Sequence, residues 1–303
     1  MIIIPPCLKP GDCIGLMCPA GFIPKNKVQD CVKTLEKWGY KIIVGKTIGG
    51  GSRNYFSAPD DIRLKELQQM LENKKIRAIL FARGGYGTSR IIDRVDFSPL
   101  KKDPKWLIGF SDITVIHNHL LNHIKMSSIH GPMASAFIKG TVTGKSIESL
   151  KNILSGEKIN YSFKSHRFNK AGKVTAELAG GNLALLANTI GTGSECPYKG
   201  KILFIEDVGE YYYSIDRMMI QLKRAGWLEK IKGILVGGFT DMKDTQRPFG
   251  KKSEEIIRDI IAPYRVPAAF GIPVSHGKEN VALKTGVTYS LTVSSAGTIL
   301  KEV

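Results

Sequence analysis

Residues 106–124 read WLIGFSDITVIHNHLLNHI, a short apolar strand that runs through a Phe-Ser-Asp turn into a helix. The first half of the chain repeats this order, with further apolar runs at 12–21, 41–46 and 76–82 and helical stretches at 27–40 and 57–73. This alternation is typical of parallel βαβ units. We therefore predict an α/β fold whose N-terminal domain is a doubly wound, mostly parallel sheet. Its ligands should lie beyond the carboxyl ends of the strands.

The second half differs, because short strands dominate its end. Apolar runs occur at 201–210 and 233–239, and the tail at 287–303 alternates like a terminal β-hairpin. Residues 139–173 are polar and weakly periodic, as expected of a linker. The predicted organisation is thus an N-terminal domain at 1–138, a linker at 139–173, and a smaller, mixed α/β and β-rich C-terminal domain at 174–303.

Composition limits the class of protein. The chain has 303 residues, 43% of them hydrophobic, and no apolar run of the roughly 18 residues that a membrane span requires. Its 44 basic against 27 acidic residues give a net charge of +17. The basic residues are spread thinly along the chain, which favours a solvated surface, then attraction to an acidic substrate, and nucleic acid only third. Five cysteines without zinc-site spacing are expected to be small core residues with reduced thiols, and the start of the sequence does not resemble a signal peptide, so we expect a cytoplasmic protein.

Ser111 allows two interpretations. A serine between a strand and a helix is most often an N-cap. It can also be a nucleophile, although the G-x-S-x-G elbow is only half present, with Gly109 in place and Ile113 at the second glycine position. The same turn puts the N–H of Asp112 at a helix start, which suits a developing oxyanion. Local spacing favours the cap.

The segment RGGYG at 83–87 follows a predicted buried strand. It matches neither a Walker A loop nor GxGxxG, so a phosphate site is disfavoured. A tight structural turn is the simpler interpretation, and a backbone oxyanion hole is the alternative.

A nucleophilic serine requires a base, and six histidines are candidates. His119 and His123 have the i, i+4 spacing of metal ligands but no HExxH motif, so helix packing is favoured for them and for His117. His130 ends a predicted strand near the same sheet edge, which suits a supporting or substrate-contacting role. His276 lies in a loop bounded by Pro and Gly, where a polar tip can face a cleft.

The base in turn requires a carboxylate to hold its tautomer. Glu206, Asp207 and Glu210 follow the apolar strand KILFI. Local chemistry does not choose between Glu206 and Asp207.

Four motifs occur in order along the chain, namely RGGYG at 83–87, GFSD at 109–112, FIEDVGE at 204–210 and PVSHGKEN at 273–280. With them the chain resembles the LD-carboxypeptidase family of serine peptidases over essentially its whole length. That family includes muramoyl-tetrapeptide carboxypeptidases and the immunity peptidases that cleave microcin-C-type conjugates.

The resemblance implies a Ser–Glu–His triad in which Ser111 is the nucleophile, Glu206 the orienting carboxylate and His276 the base. It also implies an oxyanion hole made by the backbone N–H groups of Gly85 and Asp112. Neither a metal nor a cofactor is expected. The substrate contacts that we predict are Arg83, Gly84, Tyr86 and His130, although Arg83 is equally suited to supporting its own loop.

The implied reaction releases terminal D-alanine from cytoplasmic murein tetrapeptides during peptidoglycan recycling. The expected partners are the murein peptide and a second copy of the chain in a homodimer, without nucleic acid or membrane. One alternative is cleavage of a peptide–nucleotide conjugate, which would need an aromatic platform for the base, such as Trp227 or Tyr211–Tyr213. Another is a non-catalytic, two-domain protein that binds a small molecule.

Overall fold

The computed structural model describes residues 1–50 and 54–303, which contain thirteen strands and eight α-helices. The strands are β1 (Cys13–Met17), β2 (Lys41–Val44), β3 (Ile76–Phe81), β4 (Trp106–Gly109), β5 (Ser128–His130), β6 (Asn160–Phe163), β7 (Gly172–Asn182), β8 (Ile202–Val208), β9 (Gly233–Thr240), β10 (Ala268–Phe270), β11 (Leu283–Thr285), β12 (Thr288–Ser294) and β13 (Gly297–Glu302). The helices are α1 (Gln29–Lys37), α2 (Asp60–Glu72), α3 (Pro99–Lys102), α4 (Thr114–His123), α5 (Gly144–Leu154), α6 (Leu183–Thr189), α7 (Tyr212–Arg224) and α8 (Ser253–Ile261).

The first sheet has the strand order β11-β5-β4-β3-β1-β2. Its first five strands in the chain, β1 to β5, pair in parallel, and β11 pairs antiparallel with β5. Strand β4 is buried along its whole length, as expected for a strand covered on both faces. The order changes direction between β3 and β1, and the carboxyl ends of the strands meet at one edge. The predicted doubly wound, mostly parallel sheet is thus confirmed.

The second sheet has the order β10-β9-β8-β7-β12-β13-β6. Strands β7 to β10 are parallel, and β12, β13 and β6 add to β7 as an antiparallel set. Buried and exposed residues alternate along β12 and β13, because one face of this hairpin packs on the core. The second half is therefore mixed α/β with many strands, as the fold-class prediction states.

Two features were not foreseen in the sequence. The segment at 139–173, predicted as a linker, contains helix α5 and edge strand β6 and reaches the start of β7. Strand β11 belongs to the second half of the chain but pairs with β5 at the edge of the first sheet. The bounds of the predicted domains therefore stay a prediction.

The described residues contain no helix that is both long enough and apolar enough to cross a membrane. Four of the five cysteines are buried, and Cys7 is exposed. The expectation that all five are core residues is thus wrong for Cys7.

Candidate active site

Ser111 lies at the carboxyl end of β4 in an unusual backbone conformation. Its φ is +62°, a left-handed value that only Lys125 and Asp241 share with it among the non-glycine residues that the structure describes. It begins the short 3-10 turn Ser111–Ile113 ahead of α4, and neither that turn nor α4 has a side-chain cap. The helix-cap interpretation is therefore not supported. Held backbone strain of this kind, which costs on the order of 1–3 kcal/mol, clusters at functional sites.

The RGGYG loop lies directly against this serine. A Cβ atom added to Gly84 would stand 2.9 Å from Ser111 Cβ and 3.1 Å from its Oγ. Gly85 has a φ of +100°, which only glycine adopts without strain. The loop's conformation and its close approach to Ser111 thus both require glycine.

Glu206 and His276 form a hydrogen-bonded pair at the end of the second sheet. His276 Nδ1 lies 2.7 Å from Glu206 Oε2, and the Glu206 side chain is fully buried. Burial acts to lower the pKa of His276, but the charge and hydrogen bond of Glu206 outweigh it, with help from Asp207 and Asp241. The pKa of His276 is therefore raised above its ordinary value of 6.5.

Asp207, the alternative carboxylate, has a different set of partners. Its Oδ1 accepts hydrogen bonds from Asn182 Nδ2 and the Val208 N–H, each at 2.8 Å, and its Oδ2 accepts one from the Ala184 N–H at 3.0 Å. Neighbouring strand residues point to opposite faces, so only Glu206 reaches the imidazole. Burial and the Glu206 charge raise the pKa of Asp207 to about 7.

The serine turn and the histidine loop come together between the two sheets. The ring of Phe110, which precedes Ser111, lies 4.7 Å from the imidazole of His276. Behind this contact the Asn182 N–H donates to Thr114 Oγ1 at 3.0 Å, and Gly181 leaves no room for a Cβ atom against Thr114. Residues from both halves of the chain therefore line one site.

The other predicted substrate contacts, Arg83, Tyr86 and His130, differ in their exposure and their partners. Arg83 donates to the Phe22 carbonyl at 2.5 Å, so it supports its loop, and Tyr86 in the same loop is 49% exposed. His130, by contrast, is fully buried, with its ring 4.9 Å from that of Phe204. Its full burial speaks against the predicted direct contact with substrate, and its ring lies 5.8 Å from that of Phe110.

Three other groups of candidates from the sequence differ in their surroundings. His119 and His123 stack on each other at 4.1 Å, and the described residues include no cluster of three or more metal-ligating side chains. Trp227 is only 4% exposed and packs on Tyr198, so it offers no platform for a base. Tyr211 and Tyr213 are exposed and stack on each other, 5.5 Å apart.

Sequence reasoning missed two buried residues that support the site. His117, expected only to pack on its helix, holds the Gly109 carbonyl with Nε2 at 2.9 Å and Ser128 Oγ with Nδ1 at 2.8 Å. Arg63 is fully buried under the RGGYG loop. A signal for Arg63 exists, because it shares the buried stripe of α2 with Leu67, Met70 and Leu71 at helical spacing.

Both halves of the chain match models of known protein domains. Residues 14–131 match the LD-carboxypeptidase N-terminal domain, and residues 175–291 match the LD-carboxypeptidase C-terminal domain. A probable murein peptide carboxypeptidase of Bacillus subtilis (strain 168) is 33% identical over 300 residues, which are 98% of this chain and 94% of that protein.

Two solved structures have the same fold. The muramoyltetrapeptide carboxypeptidase from Oxalobacter formigenes has a TM-score of 0.85 at 29% identity, with 95% of this chain and 97% of that chain covered. The microcin C7 self immunity protein MccF, in complex with aspartyl sulfamoyl adenosine, has a TM-score of 0.88 at 20% identity, with 100% and 99% covered, and is similar in fold alone. The two domain matches and the full-length similarity show that the chain belongs to the LD-carboxypeptidase family of peptidases.

Proposed function

We propose that the protein is a serine-type LD-carboxypeptidase that removes terminal D-alanine from murein tetrapeptides. The observation that carries this proposal is the buried Glu206–His276 hydrogen bond of 2.7 Å beside the strained turn of Ser111. A carboxylate, an imidazole and a serine on a strained turn are the parts of an acyl-transfer site.

The roles follow from the atoms that the geometry leaves available. Because His276 Nδ1 is bonded to Glu206, its Nε2 is the nitrogen that takes the Ser111 proton as Oγ attacks the scissile carbonyl carbon. The C–N bond then breaks, and the same Nε2 returns the proton to the leaving amine of D-alanine. Water hydrolyses the resulting ester and regenerates the serine.

The oxyanion is assigned to the N–H groups of Gly85 and Asp112. The close approach of Gly84 to both Ser111 Oγ and the Asp112 nitrogen supports this assignment, because it puts the glycine loop beside the start of the serine turn. Two such donors, fixed before the reaction, stabilise the charge that develops on the carbonyl oxygen.

The substrate class rests on the relatives and on charge. The Bacillus and Oxalobacter proteins are named for murein peptides, and the net charge of +17 suits a substrate with free carboxylates. We place the reaction in the cytoplasm, where recycled murein peptides are found. A homodimer remains a prediction, to be tested by sedimentation velocity.

A second substrate class has one observation in its favour. Tyr211 directly precedes helix α7 and Tyr213 lies in its first turn; their exposed, stacked rings follow Glu206 closely in the chain and could hold a nucleobase. Cleavage of a peptide–nucleotide conjugate is therefore the second candidate for the same triad.

Incubation with UDP-MurNAc-tetrapeptide, with D-alanine measured by mass spectrometry, tests the proposal. The wild type should release D-alanine, and Ser111→Ala should not. Ser155→Ala, which changes an exposed serine after α5, is the matched control and should stay active. Full activity of Ser111→Ala would exclude the triad, and turnover of an aminoacyl-nucleotide conjugate alone would favour the second candidate. Binding without turnover of either substrate would support the non-catalytic alternative.

A further inference from the structure

Two buried charged side chains form hydrogen bonds with a single peptide group beside the serine turn. Arg63 Nη1 donates to the Gly87 carbonyl at 3.0 Å, and the Thr88 N–H donates to Asp112 Oδ2 at 2.8 Å. The Gly87 carbonyl and the Thr88 N–H belong to the same peptide bond. We call Arg63, Asp112 and this peptide group the peptide clamp.

Both charged members of the peptide clamp are fully buried. Arg63 also donates to the carbonyls of Ala58 and Pro19 and to the carboxylate of Asp60. Three loop carbonyls thus converge on one guanidinium. Burying an arginine and an aspartate is costly unless they are hydrogen-bonded, and four of these five bonds are made to backbone groups.

The peptide clamp holds a loop that otherwise lacks rigidity. Gly84, Gly85 and Gly87 leave the RGGYG loop with much conformational freedom, and Gly85 and Gly87 both have positive φ values. At its start the Gly84 carbonyl accepts a hydrogen bond from the Gly21 N–H at 3.0 Å. At its end the peptide clamp fixes the Gly87–Thr88 peptide. The Gly85 N–H lies between these two attachments.

Asp112 connects the two halves of the proposed oxyanion hole. Its backbone N–H is one donor, and its carboxylate holds the loop that supplies the other donor, Gly85. A displacement of about 1 Å at such a site costs roughly 100-fold in rate, so the relative position of the two N–H groups matters.

We propose that Arg63 and Asp112 act, through the peptide clamp, as positioning residues that set the geometry of the oxyanion hole. This inference rests on the proposed function, because it takes Gly85 and Asp112 as the oxyanion donors. Removing the clamp should lower the rate of the chemical step and leave substrate binding unchanged.

Lys105 provides a matched control in the same domain. It is also fully buried, and it donates to the carbonyls of Asn73 and Ile76 at 3.0 and 2.9 Å and to Asp103 at 2.5 Å. It lies at the amino end of β4, whereas the site lies at the carboxyl end. A variant of Lys105 thus removes a buried cation of similar bonding without touching the RGGYG loop.

The experiment compares Arg63→Met, Asp112→Ala, Asp112→Asn and Lys105→Met in the full chain. For each variant we would measure the melting temperature, kcat and KM for D-alanine release, and the labelling rate with a fluorophosphonate ester by intact-mass spectrometry. In that labelling the Ser111 Oγ–P bond forms, the P–F bond breaks, fluoride leaves, and His276 takes the proton. Labelling needs the oxyanion hole but no murein peptide.

Arg63→Met and Asp112→Ala should lower kcat and the labelling rate by about 10- to 100-fold with KM unchanged. Asp112→Asn keeps an acceptor oxygen and should recover part of this loss. Lys105→Met should have a lower melting temperature than the wild type but a kcat within about twofold of it. If Arg63→Met does not fold, the two Asp112 variants carry the same comparison.

The proposal is overturned if Asp112→Ala keeps the wild-type labelling rate, if KM changes in place of kcat, or if Lys105→Met loses kcat equally. Failure of the proposed function gives a different result. A wild type that is labelled at Ser111 but releases no D-alanine has another substrate, and labelling of the variants still tests the clamp. A wild type that is neither labelled nor releases D-alanine overturns both proposals.

Discussion

The two halves of the site are stabilised in different ways. Around Ser111 the buried charges mainly hold the backbone, since Arg63 and Asp112 bind one peptide group and, among the described residues, only Asp60 pairs with Arg63 as a charge. The proposed nucleophile there has a left-handed φ. Around His276 the charges face each other, since Glu206 holds the imidazole and Asp207 lies beside Glu206. Under the proposed mechanism, we therefore expect the Ser111 side of the site to fix the position of the reaction and the His276 side to set its pH dependence.

Removing the nucleophile should have the largest effect and should leave the second half intact. Ser111→Ala should lower kcat by about 10⁴- to 10⁶-fold, because the acyl-enzyme cannot form. Ser111→Gly should be equally inactive but about 1 kcal/mol more stable than Ser111→Ala, since glycine relieves the φ of +62°. Urea unfolding measures this difference, and NMR titration of His276 should give an unchanged pKa. Equal stabilities of the two variants would argue against strain at this turn.

Glu206→Gln removes the carboxylate charge beside His276 and should lower kcat by about 10³- to 10⁴-fold. The wild-type pKa of His276 is raised above 6.5, so the histidine stays protonated to higher pH and kcat/KM falls as the pH drops through that raised pKa. With glutamine, burial is opposed only by the smaller effects of Asp207 and Asp241, so the pKa of the imidazole should fall. The acid limb of the pH–kcat/KM profile should therefore move to lower pH, and an unmoved limb would contradict the pairing.

Gly181→Ala tests the contact of Gly181 with Thr114, which joins the two halves of the site. The added Cβ would overlap the Thr114 side chain at a φ of +144°, so we expect a loss of about 1–3 kcal/mol in stability and about 10- to 100-fold in kcat. Gly191→Ala is the control, because Gly191 also has a positive φ of +78° but nothing within 4 Å of its Cβ position. Equal losses of kcat in the two variants would show that the contact between Gly181 and Thr114 does not determine kcat.

Asp207→Asn should change kcat by about tenfold or less, since Asp207 faces α6 and not the imidazole. Its effect should be on stability against pH. The folded protein keeps the Asp207 proton up to a pKa of about 7, whereas the ordinary value is 3.8, so the wild type loses stability from this group as the pH rises from about 4 to 7. Thermal melts across this range should show a smaller decline for the variant. Parallel curves would mean that Asp207 is ionised throughout.

Much of the fold follows from periodicity. Strands β1 to β5, helices α1, α2 and α4, and the terminal hairpin occur where apolar runs and helical spacing predict them. Most of them bury a continuous face, whereas β2 is largely exposed. Strand β11 could not be predicted, since three residues carry no period and their partner strand β5 lies far away in the chain. Helix α5 and strand β6 were hidden for a similar reason, in a polar segment on the surface.

The site was less accessible to sequence reasoning. The residues Ser111, Glu206 and His276 were singled out by the order of four motifs, whereas their contacts depend on folding, as Glu206 and His276 are 70 residues apart. Local chemistry could not separate Glu206 from Asp207, because only the strand's pleat decides which of them faces the imidazole. Arg63 was overlooked because a charged residue on a helix is usually exposed.

Strand β11 also has a consequence for how the chain folds during synthesis. Ser128 on β5 and Thr285 on β11 share a hydrogen bond of 2.8 Å across 157 residues. Until the ribosome has made Leu283–Thr285, the first sheet has an open edge at β5, and open edges invite pairing with other chains. Contacts of such long range also slow folding. We therefore expect the sheet of the N-terminal half to be completed only after residues 283–285 have been synthesised, so that both halves acquire their native structure together.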